Sequence, residues 1–219
     1  MHTSNGFRAP MRVLAAAFCA AALASACSIL PKNQVVQVWQ PPENATVQPA
    51  KTPADFSLRV DTPNLAGTLD QQGIVVMPEP GQVSVYKGAR WSESPALLVR
   101  GRLVDAFMAA RLRSVTTDDD RFASDYTLSG DLRAFQSEYR GGSPVVVVRY
   151  DAQLRRAGSR SVLASRSFVL TEQPAGTQVP AVVAAFGKAD DALAEQVVEW
   201  VLATANRNPQ SPPGDAASR

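Results

Sequence analysis

The 219-residue sequence predicts an α+β two-layer sandwich, a mainly antiparallel sheet with two helices on one face in the order βββαβββα. Three observations lead there. Short apolar–polar alternations precede a first stretch of helical periodicity. Three longer alternating segments, separated by glycine-containing turns, follow it. A second, longer helical stripe then closes the pattern. Runs of strands with a helix after each run indicate antiparallel pairing under a shared helical layer.

The first strand is read from Phe56, Leu58 and Val60, which alternate with Ser57, Arg59 and Asp61 and stop at Pro63. Ile74 to Met77 and Gln82 to Tyr86 form two short strands around Pro78, Pro80 and Gly81, a hairpin-like element. Ser94 is placed to cap a helix beginning at Pro95, whose fixed φ suits a first helical position. Leu97, Gly101, Val104, Met108 and Leu112 recur at helical spacing, widened by Leu98 and Phe107, and the pattern ends near Arg113. A stripe of this kind packs a core. Arg100 and Arg102 can either face solvent on the polar side of that stripe or join a docking surface.

After the helix, Tyr126, Leu128, Gly130, Leu132 and Ala134 share one face of a long strand. Gly141, Gly142 and Ser143 turn it into a second, with Val146, Val148, Tyr150, Ala152 and Leu154 on one face. Gly158 and Ser159 turn the chain again into Val162 to Leu170. The last helix is expected from about Pro180 to Ala205, with Val182, Phe186, Ala189, Leu193, Val197 and Trp200 inward and Lys188, Asp191, Glu195 and Glu199 on another side.

The flanks differ in character. Arg8 and Arg12 precede an apolar run from Val13 to about Ala24, too short for a spanning helix and ending in small residues, so residues 1–26 read as a signal peptide. Leu23-Ala24-Ser25-Ala26-Cys27 is similar to the lipobox of bacterial lipoproteins, with Ala24 where Leu is usual. That resemblance implies cleavage before Cys27 and acylation of its thiol; the alternative is ordinary cleavage that leaves a free thiol. Several acyl chains would hold the protein firmly at a membrane. Ser28 in place of Asp favours the outer membrane. Residues 27–54 contain Pro31, Pro41, Pro42, Pro49 and Pro53 and read as a tether with a reach of roughly 80 Å. Residues 55–206 form the folded domain, and 207–219 read as a disordered tail.

Removing the leader takes Arg8 and Arg12 with it and leaves 20 basic against 20 acidic residues, so no nucleic-acid footprint remains. His2 lies in the leader, which excludes histidine-based zinc sites and triads from the mature chain. Asp118, Asp119 and Asp120 are either a solvated acidic loop or a hard-cation site, and they lack EF-hand spacing. Ser129, Ser143 and Ser165 have no histidine or Ser-x-x-Lys base to activate them. Glu93 and Asp105 could pair across a cleft as acid and base, a description that many surface carboxylates would fit equally. Glycine-rich phosphate loops are absent. The reading is of a non-enzyme without cofactor or metal.

From Leu69 to Phe107 the chain runs LDQQGIVVMPEPGQVSVYKGARWSESPALLVRGRLVDAF. The Leu69-Asp70 pair, the Ile74 to Val76 strand, Tyr86, and Arg90 with Trp91 before the helix resemble the ABC-type transport auxiliary lipoprotein family. The resemblance covers about Phe56 to Ala205. Two features depart from it: Phe56 and Leu58 stand where a Tyr-Tyr segment is common, and Gln71, Gln72 and Gly73 where a basic residue is common. The resemblance implies a periplasmic subunit acting with an MCE-domain protein, an ABC permease and an ATPase to move phospholipids or other hydrophobic molecules, with phospholipid contact open. Tyr86, Arg90 and Trp91 have the composition of an interface hot spot, and Trp91 can equally close the core. The competing class is a lipid-anchored assembly or cell-wall-binding protein.

Overall fold

The strand runs and helical stripes are realised in a computed structural model that describes residues 35–43, 53–65, 67, 72–159 and 161–208. The leader, Cys27, most of the proline-rich segment, Leu69 to Gln71 and nearly all of the tail lie outside the described residues. The order is β1 (Gln37–Trp39), β2 (Ala54–Val60), β3 (Asn64–Leu65), β4 (Gly73–Met77), β5 (Ser84–Trp91), α1 (Pro95–Ala109), β6 (Leu112–Thr117), β7 (Tyr126–Arg140), β8 (Ser143–Arg156), β9 (Val162–Glu172) and α2 (Val179–Arg207).

The central strand is β7. Along one edge it pairs antiparallel with β8 from Tyr126↔Arg156 to Arg140↔Ser143, through a turn with Gly141 and Gly142 at φ +59° and +83°. Two consecutive positive φ values make glycine the natural choice there. Strand β9 continues the antiparallel run beyond β8. The other edge of β7 is tiled by three short parallel segments in succession: Leu58↔Tyr126 from β2, Asn64↔Asp131 from β3 and Val76↔Ser137 from β4. The α+β two-layer class therefore stands, with a mixed sheet. The long ladders are antiparallel, while the joins made across the α1 crossover are parallel, as a crossover requires.

The inward stripe of β7 differs from the expected one. A bulge between Leu132 and Ala134 shifts its phase, so Phe135 and Ser137 continue the buried face after Leu132 and Ala134 leaves it. Gly130 stays in that stripe for a steric reason. A Cβ there would lie 2.3 Å from the Asp151 carbonyl oxygen and 2.7 Å from the Tyr150 ring. Tyr150 is fully buried, and burial holds its phenol in the protonated form.

Helix α1 is also rotated from the expected phase. Ala96, Val99, Leu103, Ala106 and Phe107 are its buried apolar positions, while Met108 is exposed. Consecutive apolar residues at 97–99 and 103–104 allow either phase by sequence, and the alanines admit the closer approach. The helix ends at Ala109, Arg111 turns the chain at φ +60°, and Leu112 opens β6 instead of closing the helix. Helix α2 buries Val182, Phe186, Ala189, Leu193, Val197 and Trp200 as its periodicity dictates. Asp191 departs from its assigned polar side and is buried.

One core joins the two layers. Trp91, Phe135 and Phe186 meet with ring centroids 4.7 to 5.6 Å apart, and Phe168 meets Trp200 edge-on at 5.8 Å. Such aromatic packing adds about 0.5–1.5 kcal/mol per pair to burial itself. Trp200 thus belongs to the core. Strand β1 is the other unexpected element: inside the proline-rich segment, Gln37 to Trp39 pairs parallel with Ala89 to Trp91.

Candidate functional site

The residues singled out by sequence lie on and beside β5. Their fates diverge because a strand sends alternate side chains to opposite faces. Trp91 is 0% exposed, in ring contact with Phe135 and Phe186, so it closes the core and is not available to a partner. Tyr86 is half-buried and donates its hydroxyl to Ser137 Oγ at 3.2 Å. Burial, helped by Tyr139, raises its pKa against the opposing effect of the hydrogen bond with Ser137. Only Arg90 of the three is exposed, with its guanidinium bonded to Gln72 Oε1. The trio therefore does not form one exposed hot spot. Trp91 and Tyr86 support the strand from within.

Gly88, at φ +71°, accounts for the phase of β5. Val76 is in register with both Ser84 and the buried Ser137, which places Ser84 and Tyr86 on the inner side and Val85 on the outer. Ala89 and Trp91 are again buried. Between Gly73↔Arg90 and Val75↔Val85 strand β5 carries three residues more than β4, and this irregularity, which contains Gly88, lets both sets face inward.

The acidic run after β6 is held by protein donors. Arg100 Nη1 donates to Asp118 Oδ1 and to Asp119 Oδ2, both at 2.7 Å, and Thr62 donates its amide to Asp118 Oδ2 at 3.1 Å. Asp120 accepts the Thr117 amide at 2.8 Å. Burial alone would raise the Asp118 pKa, but the Thr62 and Arg100 hydrogen bonds hold it below the ordinary carboxylate value. This arrangement ties the β2–β3 turn and α1 to the loop, a structural use of all three carboxylates. No group of three or more His, Cys, Asp or Glu side chains among the described residues is disposed to hold a metal. Asp105 responds to burial, to Glu43 and to Arg102, rather than to Glu93.

A buried polar cluster escaped the sequence reading. Arg102 on α1 lies 3.0 Å from Asp191 Oδ1 on α2 and donates to the carbonyls of Pro41 and Pro42 at 3.3 and 3.2 Å. Asp190, beside it, is 1% exposed, and its carboxyl is pushed up to about 7 by burial and by Asp191, against Arg102. The cluster fastens both helices and the chain just after β1. Nothing in the local pattern announces it, because its members come from three distant stretches.

Strands β2, β7 and β8 also border an open groove of about 500 Å³ lined by Arg59, Asp61, Asn64, Ser129, Gln153 and Arg155, among others. Arg59 Nε bonds Asp61 Oδ1 at 2.8 Å. Such a lining suits water or a polar group and offers an acyl chain no apolar wall. Ser129 sits here without a base.

Comparison with known proteins fits this architecture. The family model for the ABC-type transport auxiliary lipoprotein component matches residues 39–198. A protein from Xanthomonas campestris with a crystal structure is 29% identical, has a TM-score of 0.73, and aligns over 80% of this chain and 100% of its own. An uncharacterized protein of known structure is 17% identical at TM-score 0.60, covering 76% of this chain and 99% of its own, and shares the fold. A hypothetical protein from Chlamydia trachomatis, 6% identical, aligns at TM-score 0.50 over 71% and 100% of the two chains. No curated protein matches the chain. No helix among the described residues is long and apolar enough to cross a membrane. With the family model running from Trp39, the last residue of β1, through most of α2, the chain belongs to the ABC-type transport auxiliary lipoprotein component family.

Proposed function

We propose that this protein is the non-catalytic, periplasmic lipoprotein subunit of an ABC/MCE-type transporter that moves phospholipids or other hydrophobic molecules between bacterial membranes. It is anchored through acylated Cys27 in the outer membrane, and its partners are an MCE-domain protein, the permease and the ATPase. The observation that carries this reading is the family match across nearly the whole folded domain. The polar lining of the groove beside β2, β7 and β8 supports a connecting role in preference to a carrier that encloses acyl chains.

The test is transport. In a strain lacking the protein, ATP-dependent movement of isotopically labelled phospholipid between inner and outer membranes is expected to fall. Wild type should restore it, and Cys27→Ser should restore it poorly. Unchanged movement on deletion would contradict the reading.

A further inference from the structure

Exposed apolar side chains on the described surface are mostly solitary, such as Met108 on α1, Phe122 in a loop and Val169 on β9. One edge of the sheet is different. Val36, Val38, Val83 and Val85 are 49%, 53%, 49% and 51% exposed, and all belong to β1, β5 or the residues leading into them. Strand β1 ends the sheet path, with β5 as its neighbour.

Val38 and Val85 lie on the outer side, with exposed Val36 and Val83 next to them in the chain. Trp39 and Trp91 are partners in the register, and Trp91 points into the core, so Val38 and its partner Arg90 point away from it. Val36, exposed, leads into β1 two residues before Val38. Val85 is outward by the register of Val76 with Ser84 and Ser137, and Val83 lies two residues before it. Exposed Lys87 and Arg90 lie on the same strand, and neither β1 nor β5 contains an acidic residue. Exposed valines beside Lys87 and Arg90, with exposed Glu79 and Glu93 lying beyond the two ends of β5, fit the interface of an anionic bilayer through the valines and these two cations.

Chain length supplies the second argument. The sequence reading allowed a tether of roughly 80 Å. Because β1 is part of the sheet and Arg102 holds the carbonyls of Pro41 and Pro42, the chain between the anchor and the sheet runs only from Cys27 to Val36. Nine residues reach at most about 30 Å. The valine edge is thus the first part of the folded domain after the anchor.

We infer that the outer side of the β1–β5 edge, carrying Val36, Val38, Val83, Val85, Lys87 and Arg90, rests on the anionic lipid leaflet that holds the anchor. The inference rests on the proposed acylation of Cys27. It assigns to lipid the strip that sequence composition had offered to a protein partner.

The experiment uses the mature, full-length lipidated protein. Its only cysteine is Cys27, since Cys19 leaves with the leader, so a cysteine introduced elsewhere is uniquely labelled. An environment-sensitive fluorophore is attached in Val38→Cys, Val85→Cys and, as the distant control on β9, Ser165→Cys. Each protein is reconstituted into phosphatidylethanolamine–phosphatidylglycerol vesicles with or without brominated acyl chains. Quenching of about half the emission or more is expected at positions 38 and 85 and little at 165, because interfacial contact reaches only about 5–10 Å into the boundary. Lys87→Glu combined with Arg90→Glu should reduce that quenching. Equal quenching at all three positions, or none, would overturn the inference. Emission at 38 and 85 that follows protein density instead of bromine would overturn it in favour of a second copy. Intact mass reports acylation separately. If Cys27 is unmodified, the anchoring proposal fails, and Cys27→Ser protein held by an N-terminal hexahistidine tag on nickel-chelating lipids decides the surface by the same readout.

Discussion

Replacing Asp190 by Asn should remove a pH-dependent weakness from the fold. Asp190 sits on α2 with 1% of its surface exposed, and burial, with Asp191 adding and Arg102 opposing, pushes its carboxyl up to about 7. In the unfolded chain the same group titrates near 3.9. Between about pH 4 and pH 7 the native state therefore holds a proton that the unfolded state has released, so stability falls as pH rises through that window. A shift of about three pKa units at about 1.4 kcal/mol each sets a ceiling near 4 kcal/mol, which relaxation and water entry lower. The neutral amide has no such transition. Urea unfolding of wild type and Asp190→Asn at pH 4, 5.5, 7 and 8 gives the comparison. The variant should be close to wild type at pH 4 and more stable than it by up to about 4 kcal/mol at pH 8. A difference between the two proteins that does not change with pH would refute the reasoning, since it would mean that Asp190 ionises in the fold much as it does outside it.

Other substitutions probe separate parts of the account. Gly130→Ala drives a methyl group into the Asp151 carbonyl and the Tyr150 ring, and should cost about 1–3 kcal/mol or more by denaturant midpoint. Trp91→Ala empties the centre of the Phe135–Phe186 cluster and should cost about 3–5 kcal/mol, as a core residue does and an interface residue does not. Arg102→Ala should destabilise the domain by about 3 kcal/mol at pH 7 and expose the chain after Pro42 to protease, and Arg102→Lys should recover only part of this because it lacks the planar fork. Arg90→Glu, at an exposed site, should leave unfolding within about 0.5 kcal/mol of wild type.

Much of the architecture was legible because its long elements carry strong periodicity. The inward face of β8, from Val146 to Leu154, and that of α2, from Val182 to Trp200, appear in the structure as patterned. Shorter or locally ambiguous elements were not. In β1 only three residues pair, and Pro31, Pro41 and Pro42 lie close by, so the segment reads as tether until its partner β5 is known. The phase of α1 was missed because apolar residues occur on more than one side, and Leu112 continued a helical spacing that Arg111 breaks at positive φ. The Leu132–Ala134 bulge adds one residue and the irregularity around Gly88 adds three, odd numbers that invert strand phase and that no strict period-two reading can follow.

The candidate site was less legible than the fold. Composition marked Tyr86, Arg90 and Trp91 as a group, but strand alternation places Trp91 in the core and leaves Arg90 outside. By spacing, Arg102 and Asp191 fall on the polar sides of their helices, and nothing in the pattern singles out Asp190. Their burial depends on how α1 and α2 pack and on where Pro41 and Pro42 pass, information spread over the whole chain.

The most direct test of the central proposal is partner identity in intact envelopes. The lipidated protein, tagged after Arg219, is crosslinked in cells, captured and examined by mass spectrometry, with the permease as reciprocal bait. The account predicts recovery of an MCE-domain protein together with the permease and ATPase, and of this protein when the permease is captured. Recovery of only an outer-membrane barrel or cell-wall component would contradict it and make the protein an assembly or cell-wall-binding lipoprotein.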